Sequence, residues 1–104
     1  MNTINIIGRL TSAAIPRGQG DNIAAAFRVA VPRPYKDANG NQAADFIDCV
    51  AFGKRAEFVL HHFAKGDRLG VSGSLRVEDY VAADGSKRRS YEIVAENIDF
   101  ADGK

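Results

Sequence analysis

Phe46 and Phe52 stand six positions apart in the run Asp45-Phe46-Ile47-Asp48-Cys49-Val50-Ala51-Phe52-Gly53-Lys54. A carboxylate, Asp48, lies between them, and two bases, Lys54 and Arg55, follow. In an extended strand alternate side chains point to opposite faces, which puts Ile47, Cys49 and Ala51 on one face and Phe46, Asp48, Val50 and Phe52 on the other. Two large rings beside a carboxylate make a poor core surface but a serviceable, partly wet platform. Ring faces stack on unpaired nucleic-acid bases, and nearby cations meet backbone phosphates. Each such stack contributes roughly 1–3 kcal/mol. At ~3.3 Å per residue the two rings lie ~20 Å apart and would hold different nucleotides.

A third aromatic of this kind is Tyr35, set in Arg33-Pro34-Tyr35-Lys36 between two cations and stiffened by proline. Candidate phosphate contacts are Arg9, Arg28, Arg33, Lys36, Lys54, Arg76, Lys87 and Arg88. Lys87-Arg88-Arg89 places three like charges in a row, which repel one another without an anion. Contacts of this sort supply affinity without sequence choice. Phe27, Phe58, Phe63, Tyr91 and Phe100 fall at core spacings or near the terminus and read as structural. Cys49, among Ile47 and Ala51, reads as a small buried hydrophobe. The consecutive His61 and His62 diverge by ~100° on a helix, a poor pair for one metal ion, and a single cysteine leaves no zinc motif of the usual spacing. No set of serine, cysteine and histidine suggests nucleophilic catalysis, and Gly18-Gln19-Gly20 lacks the Gly-Lys-Ser/Thr of a phosphate loop. The chain therefore reads as a binding protein without catalytic residues, metal or cofactor.

The elements that must carry these residues follow from period. Asn2 to Thr11 alternates around Ile4, Ile6 and Leu10, with Gly8 marking a bulge or bend. Pro16 to Asp21 reads as a turn. Ile23 to Val31 is a strand with Ile23, Ala25, Phe27, Val29 and Val31 on one face and Arg28 on the other. Pro32-Arg33-Pro34 is expected to stop it, and Asn39-Gly40 to reverse the chain. The Phe46 strand runs from about Asp45 to Phe52. From Lys54 to Lys65 the period changes, with Ala56, Val59, Leu60 and Phe63 on one face of a helix closed by Gly66. Arg68 to Glu78 alternates again, Gly70 and Gly73 allowing curvature, and Asp84-Gly85 turns into a last strand from about Arg89 to Phe100. Three strands, one helix and two strands match an all-β, five-stranded OB-fold barrel with a helix between strands three and four, spanning 1–104 as one domain.

The formal net charge is only +1. The layout is uneven: between Arg28 and Arg55 five bases face three acids, whereas from Glu92 onward there are four acids and one base. Local field rather than net charge attracts a polyanion. No apolar run approaches the ~18 residues of a membrane span, and Met1-Asn2-Thr3-Ile4-Asn5 begins no signal peptide, so a soluble, intracellular protein is expected.

With its elements placed, the chain resembles bacterial single-stranded DNA-binding proteins of the SSB family over nearly its whole length. The resemblance is carried by Ile6-Ile7-Gly8-Arg9-Leu10, Ala44 to Lys54, Ala64-Lys65-Gly66 and Val71-Ser72-Gly73-Ser74-Leu75-Arg76, in that order and spacing. It implies a cytoplasmic, nucleoid-associated homotetramer that wraps single-stranded DNA over stacking aromatics in replication, recombination and repair. Position by position those aromatics are Tyr35, Phe46, Phe52 and Tyr80. Members often have Trp at three of these places. This chain has none, and Glu78-Asp79 precede Tyr80 where many relatives carry bases. The sequence ends at Phe100-Ala101-Asp102-Gly103-Lys104 without the family's linker and acidic tail, so tail-mediated partners are not expected. An OB-type protein-interaction or primosome-accessory module with weak nucleic-acid binding is the alternative from another class, and RNA binding a third.

Overall fold

The computed structural model describes residues 1–101. Its elements are β1 (Ile4–Leu10), β2 (Ile15–Arg17), β3 (Ala24–Lys36), β4 (Gln42–Phe52), α1 (Lys54–His62), β5 (Arg68–Val81) and β6 (Lys87–Phe100). β1 pairs antiparallel with β5 and, at Arg9 and Leu10, with β3; β5 pairs with β6, β6 runs parallel to β4 over a short stretch, and β4 pairs with β3. These five long strands close into a ring, the OB-type barrel with its helix between the third and fourth long strands. The three-residue β2 is an addition where a plain turn was expected; it lies along Ala24–Ala26 of β3, and a proline is tolerated in such a short edge strand.

The core fills the ring from alternating positions: Ala25, Phe27 and Val29 of β3, Cys49 and Ala51 of β4, Leu69 and Val71 of β5, and Ile93 of β6, with Ala56 and Val59 of α1 covering one end. Two glycines allow backbones to meet. A Cβ on Gly8 would lie 2.3 Å from the Ala30 carbonyl oxygen, at the point where β1 crosses to β3. One on Gly73 would lie 2.0 Å from the Val94 carbonyl oxygen, at a register shift that leaves Glu96 as the extra residue of a β-bulge. Arg55 donates its Nε–H to the carbonyl of that bulged residue.

Two boundaries and one side-chain placement differ from expectation. β3 does not stop at Pro32 but runs to Lys36. Beyond Ala30 it is paired only with β4, so two prolines two residues apart can direct their missing N–H groups to the open edge. The helix ends at His62, before Lys65, because Phe63 adopts an extended backbone and packs into the core against Phe100, ring centroids 4.4 Å apart. Gly66 then serves the turn into β5, its N–H donating to the Leu10 carbonyl. The third difference is Tyr91. It is not structural core but 57% exposed, opposite Val77 on the protruding part of the β5–β6 hairpin. Phe27 and Phe63 are buried, and Phe58 packs against Phe63 and Phe100.

Candidate nucleic-acid interface

Cross-strand register builds the site, because residues paired across a sheet share a face. Ala24 lies opposite Phe52, Ala26 opposite Val50, Arg28 opposite Asp48 and Ala30 opposite Phe46. Arg9 of β1 extends the last row, and Val94 of β6 extends the Val50 row. Phe46 is 64% and Phe52 47% exposed. Each ring thus rises beside a methyl group rather than a bulky neighbour, which leaves its face open. The Phe52 end of this surface is a groove of about 620 Å³ lined by Ala24, Ala26, Asp48, Phe52, Arg76 and Glu92 among others. Val50 lies on this face, as alternation assigns it, but is only 8% exposed, because strands with Ala26 and Val94 flank it on both sides. Alternation assigns a face; a central strand decides how much of that face is covered.

Most of the candidate arginines are already engaged. Arg28 donates from Nε to Asp48 Oδ1 at 2.8 Å. Arg33 donates from Nε and Nη2 to Asp45 Oδ1 at 3.0 and 2.5 Å, and from Nη1 to the Tyr35 hydroxyl at 3.0 Å. Arg76 donates from Nε to Glu92 Oε1 at 3.0 Å, and Glu78 Oε1 stands 3.2 Å from the same nitrogen. Arg88 reaches Ser86 Oγ at 3.2 Å and Asp84 at 3.5 Å. Arg9 donates from Nη1 to the Gly66 carbonyl at 2.9 Å. Among the described residues Lys36, Lys54 and Lys87 form no ion pair. The titration behaviour follows these partners. The Arg33 hydrogen bonds hold the Asp45 carboxyl below the usual carboxylate range, and Asp48 raises the Arg28 guanidinium above its ordinary value. Burial, helped by the charges of Asp48 and Glu92, pushes the Cys49 thiol up to about 12.

The expected contacts do not form one patch. Phe46, Phe52, Arg9 and Arg28 share the outer face of the β1–β3–β4 sheet, and Arg76 joins them in the groove. Tyr80 sits on the β5–β6 hairpin opposite Arg88, in alternation with Arg76 and Glu78 and hence on their side. Lys87, paired with Val81, alternates to the other side of that hairpin. Arg33 and Tyr35 also part from Phe46: Arg33 is bonded to Asp45, which neighbours Phe46 on β4 and so points to the opposite face. Its guanidinium carbon is 5.9 Å from the Tyr35 ring centroid. Lys36 lies at the tip of the same arm, paired with Gln42, and Lys54 opens α1 just past Phe52. Two features escaped the sequence reading. One is the run of small residues Ala24, Ala26 and Ala30, legible only as alanines at even positions around Arg28. The other is the pairing of the carboxylates with the arginines, Asp45 with Arg33 and Glu92 with Arg76 among them. Neither histidine joins the groove; His62 packs its ring 5.1 Å from that of Phe58.

An all-β ring with a capping helix and an outward aromatic trough edged by arginines defines an OB-type binding domain rather than a catalytic one. The family model described as "Single-strand binding protein family" matches residues 1–101, and the chain belongs to that family. It is 36% identical to the single-stranded DNA-binding protein of Fusobacterium nucleatum over 107 residues, covering 100% of this chain and 69% of that one. It is 41% identical to that of Clostridium perfringens over 105 residues, covering 98% and 67%. Among solved structures, a Plasmodium falciparum SSB complex with ssDNA superposes with a TM-score of 0.84 at 22% identity, covering 98% of this chain and 96% of that one. A small single-stranded DNA-binding protein from Streptomyces coelicolor superposes at 0.76 with 25% identity, covering 95% and 93%. The family's proteins are binding proteins and not enzymes.

Proposed function

We propose that this chain binds single-stranded DNA without sequence preference, as a homotetramer at the nucleoid in the cytoplasm, in support of replication, recombination and repair. In this reading residues 1–104 form one OB-fold unit. Bases stack on Phe46 and Phe52, and on Tyr35 and Tyr80 where the strand crosses the two arms. Arg9, Arg28, Arg33, Lys36, Lys54, Arg76, Lys87 and Arg88 are the cations available to its phosphates. The observation that carries the reading is the pair of exposed phenylalanines, each opposite an alanine, on a strand whose other face is packed. A soluble domain has no packing reason to hold two such rings in water.

Anisotropy titration of a labelled oligo-dT across salt tests it. The logarithm of affinity should fall linearly with log salt, with a slope near −0.7 for each phosphate neutralised. Salt-independent binding, or equal affinity for a duplex, would overturn the reading. One observation favours a second reading, a protein-interaction module: the paired arginines weaken the local positive field. That module would leave oligo-dT and the equivalent RNA both weakly bound.

A further inference from the structure

Resting on the DNA-binding reading above, the arginines of the candidate interface divide by which of their nitrogens are already in use. Arg28 commits only Nε to Asp48, and among the described residues both of its terminal nitrogens remain available. Arg33 commits all three: Nε and Nη2 to Asp45, and Nη1 to Tyr35. Arg76 meets two carboxylates at once, donating to Glu92 across the hairpin and lying beside Glu78 on its own strand. A phosphate binds a guanidinium through the same fork geometry that a carboxylate uses. A phosphate that takes the Nε–Nη2 fork must therefore displace Asp45 from Arg33, or Glu92 from Arg76; until then each arginine offers only its remaining N–H groups. We propose that Asp45 and Glu92 are built-in competitors of the DNA backbone, holding the Nε–Nη2 forks of Arg33 and Arg76 out of bidentate phosphate contact and so setting both the affinity and its salt dependence.

The pairs suit displacement. Both side chains of the Arg33–Asp45 pair are 44–49% exposed, and those of Arg76 and Glu92 are 42% and 31% exposed. Exposed ion pairs are weak and screened by salt, so a polyanion offering several phosphates in succession can open them. The competition also accounts for a binding face whose arginines carry so little unbalanced charge.

The test is oligo-dT titration over a salt series with Asp45→Asn and Glu92→Gln. Asp99→Asn serves as control, because it makes the same charge change at an exposed carboxylate on β6 with no ion pair among the described residues. Each of the first two variants should bind roughly 2- to 5-fold more tightly at low salt than the control, the scale of a released exposed pair. Each should also steepen the log-log salt slope by about 0.7, one more phosphate neutralised. The gain from Asp45→Asn should disappear in an Arg33→Ala background. Gains no larger than the control's, or weaker binding, would overturn the proposal, weaker binding meaning that the carboxylates aim the arginines. Failure of the wild-type protein to bind oligo-dT would instead sink the underlying DNA-binding reading. Thermal melts of each variant show whether it is folded, and the two independent sites keep the proposal open to refutation if one variant is not.

Discussion

The two faces of β4 invert the ordinary rule of burial. Inward, Cys49 and Ala51 are small and sealed in the core, with Ile47 partly covered beside them. Outward, the far larger Phe46 and Phe52 stand in solvent. If β4 served packing alone, exchanging its faces would bury more apolar surface, at about 25 cal/mol per Å². The strand forgoes that gain. Its inner face is thin at Cys49, which lies opposite Phe27, and at Ala51, which shares the core cluster with Ala56 and Val59 of α1. Its outer face keeps large flat rings in solvent, as the proposed stacking of bases requires. In the proposed reading, stability and recognition are separated by one residue of register.

That separation can be broken from either side. Replacing Phe46 and Phe52 together by alanine should cost roughly 2–6 kcal/mol of oligo-dT binding, two stacks at 1–3 kcal/mol each, while the thermal midpoint stays close to that of the parent. A fall in stability equal to the loss of binding would show that the rings pack rather than bind. On the inner face, Ala51→Leu should do the reverse. With Ala51 at 0% exposure there is no space for three more carbons, and denaturant unfolding should register a loss of about 1–3 kcal/mol with little change in affinity per folded molecule.

The smallest effect concerns Cys49 and is a matter of rate. Its thiol titrates near 12 in the folded chain against an ordinary 9.0, so at pH 9 the native protein carries almost no thiolate. Iodoacetamide should modify it roughly a hundredfold or more slowly than in the urea-unfolded chain. The sign for stability follows from the same shift. The contribution is whole below the unfolded value of 9.0 and is lost as pH rises toward about 12. Rapid native modification at pH 9 would mean that the inner face of β4 is open to solvent.

Much of this arrangement is legible in the chain itself, and what is not has a common cause. The change from alternation to a helical period at Lys54 and back at Arg68 identifies the barrel and its helix. Alternation also separates Phe46 from Ile47 without help from structure. It cannot tell that Val50 is covered, since that depends on Ala26 and Val94 arriving on both sides. Nor can it pair Arg28 with Asp48, or Arg76 with Glu92, partners set by strand register across loops of different length. The side of the ribbon taken by Tyr35 turns on a register shift between Pro32 and Lys36 that two prolines disguise as a strand end. Local pattern gives faces; long-range pairing gives neighbours, and the electrostatics of the site resides in the neighbours.

The central claim is that the outer face of β4 is where the nucleic acid lies. Ultraviolet crosslinking of oligo-dT to the native protein, followed by mass spectrometry of the crosslinked peptides, tests it most directly. The dominant adducts should map to Phe46 or Phe52, with Tyr80 or Tyr35 as lesser sites. Adducts confined to residues away from this face, such as Phe100 of β6, would contradict it.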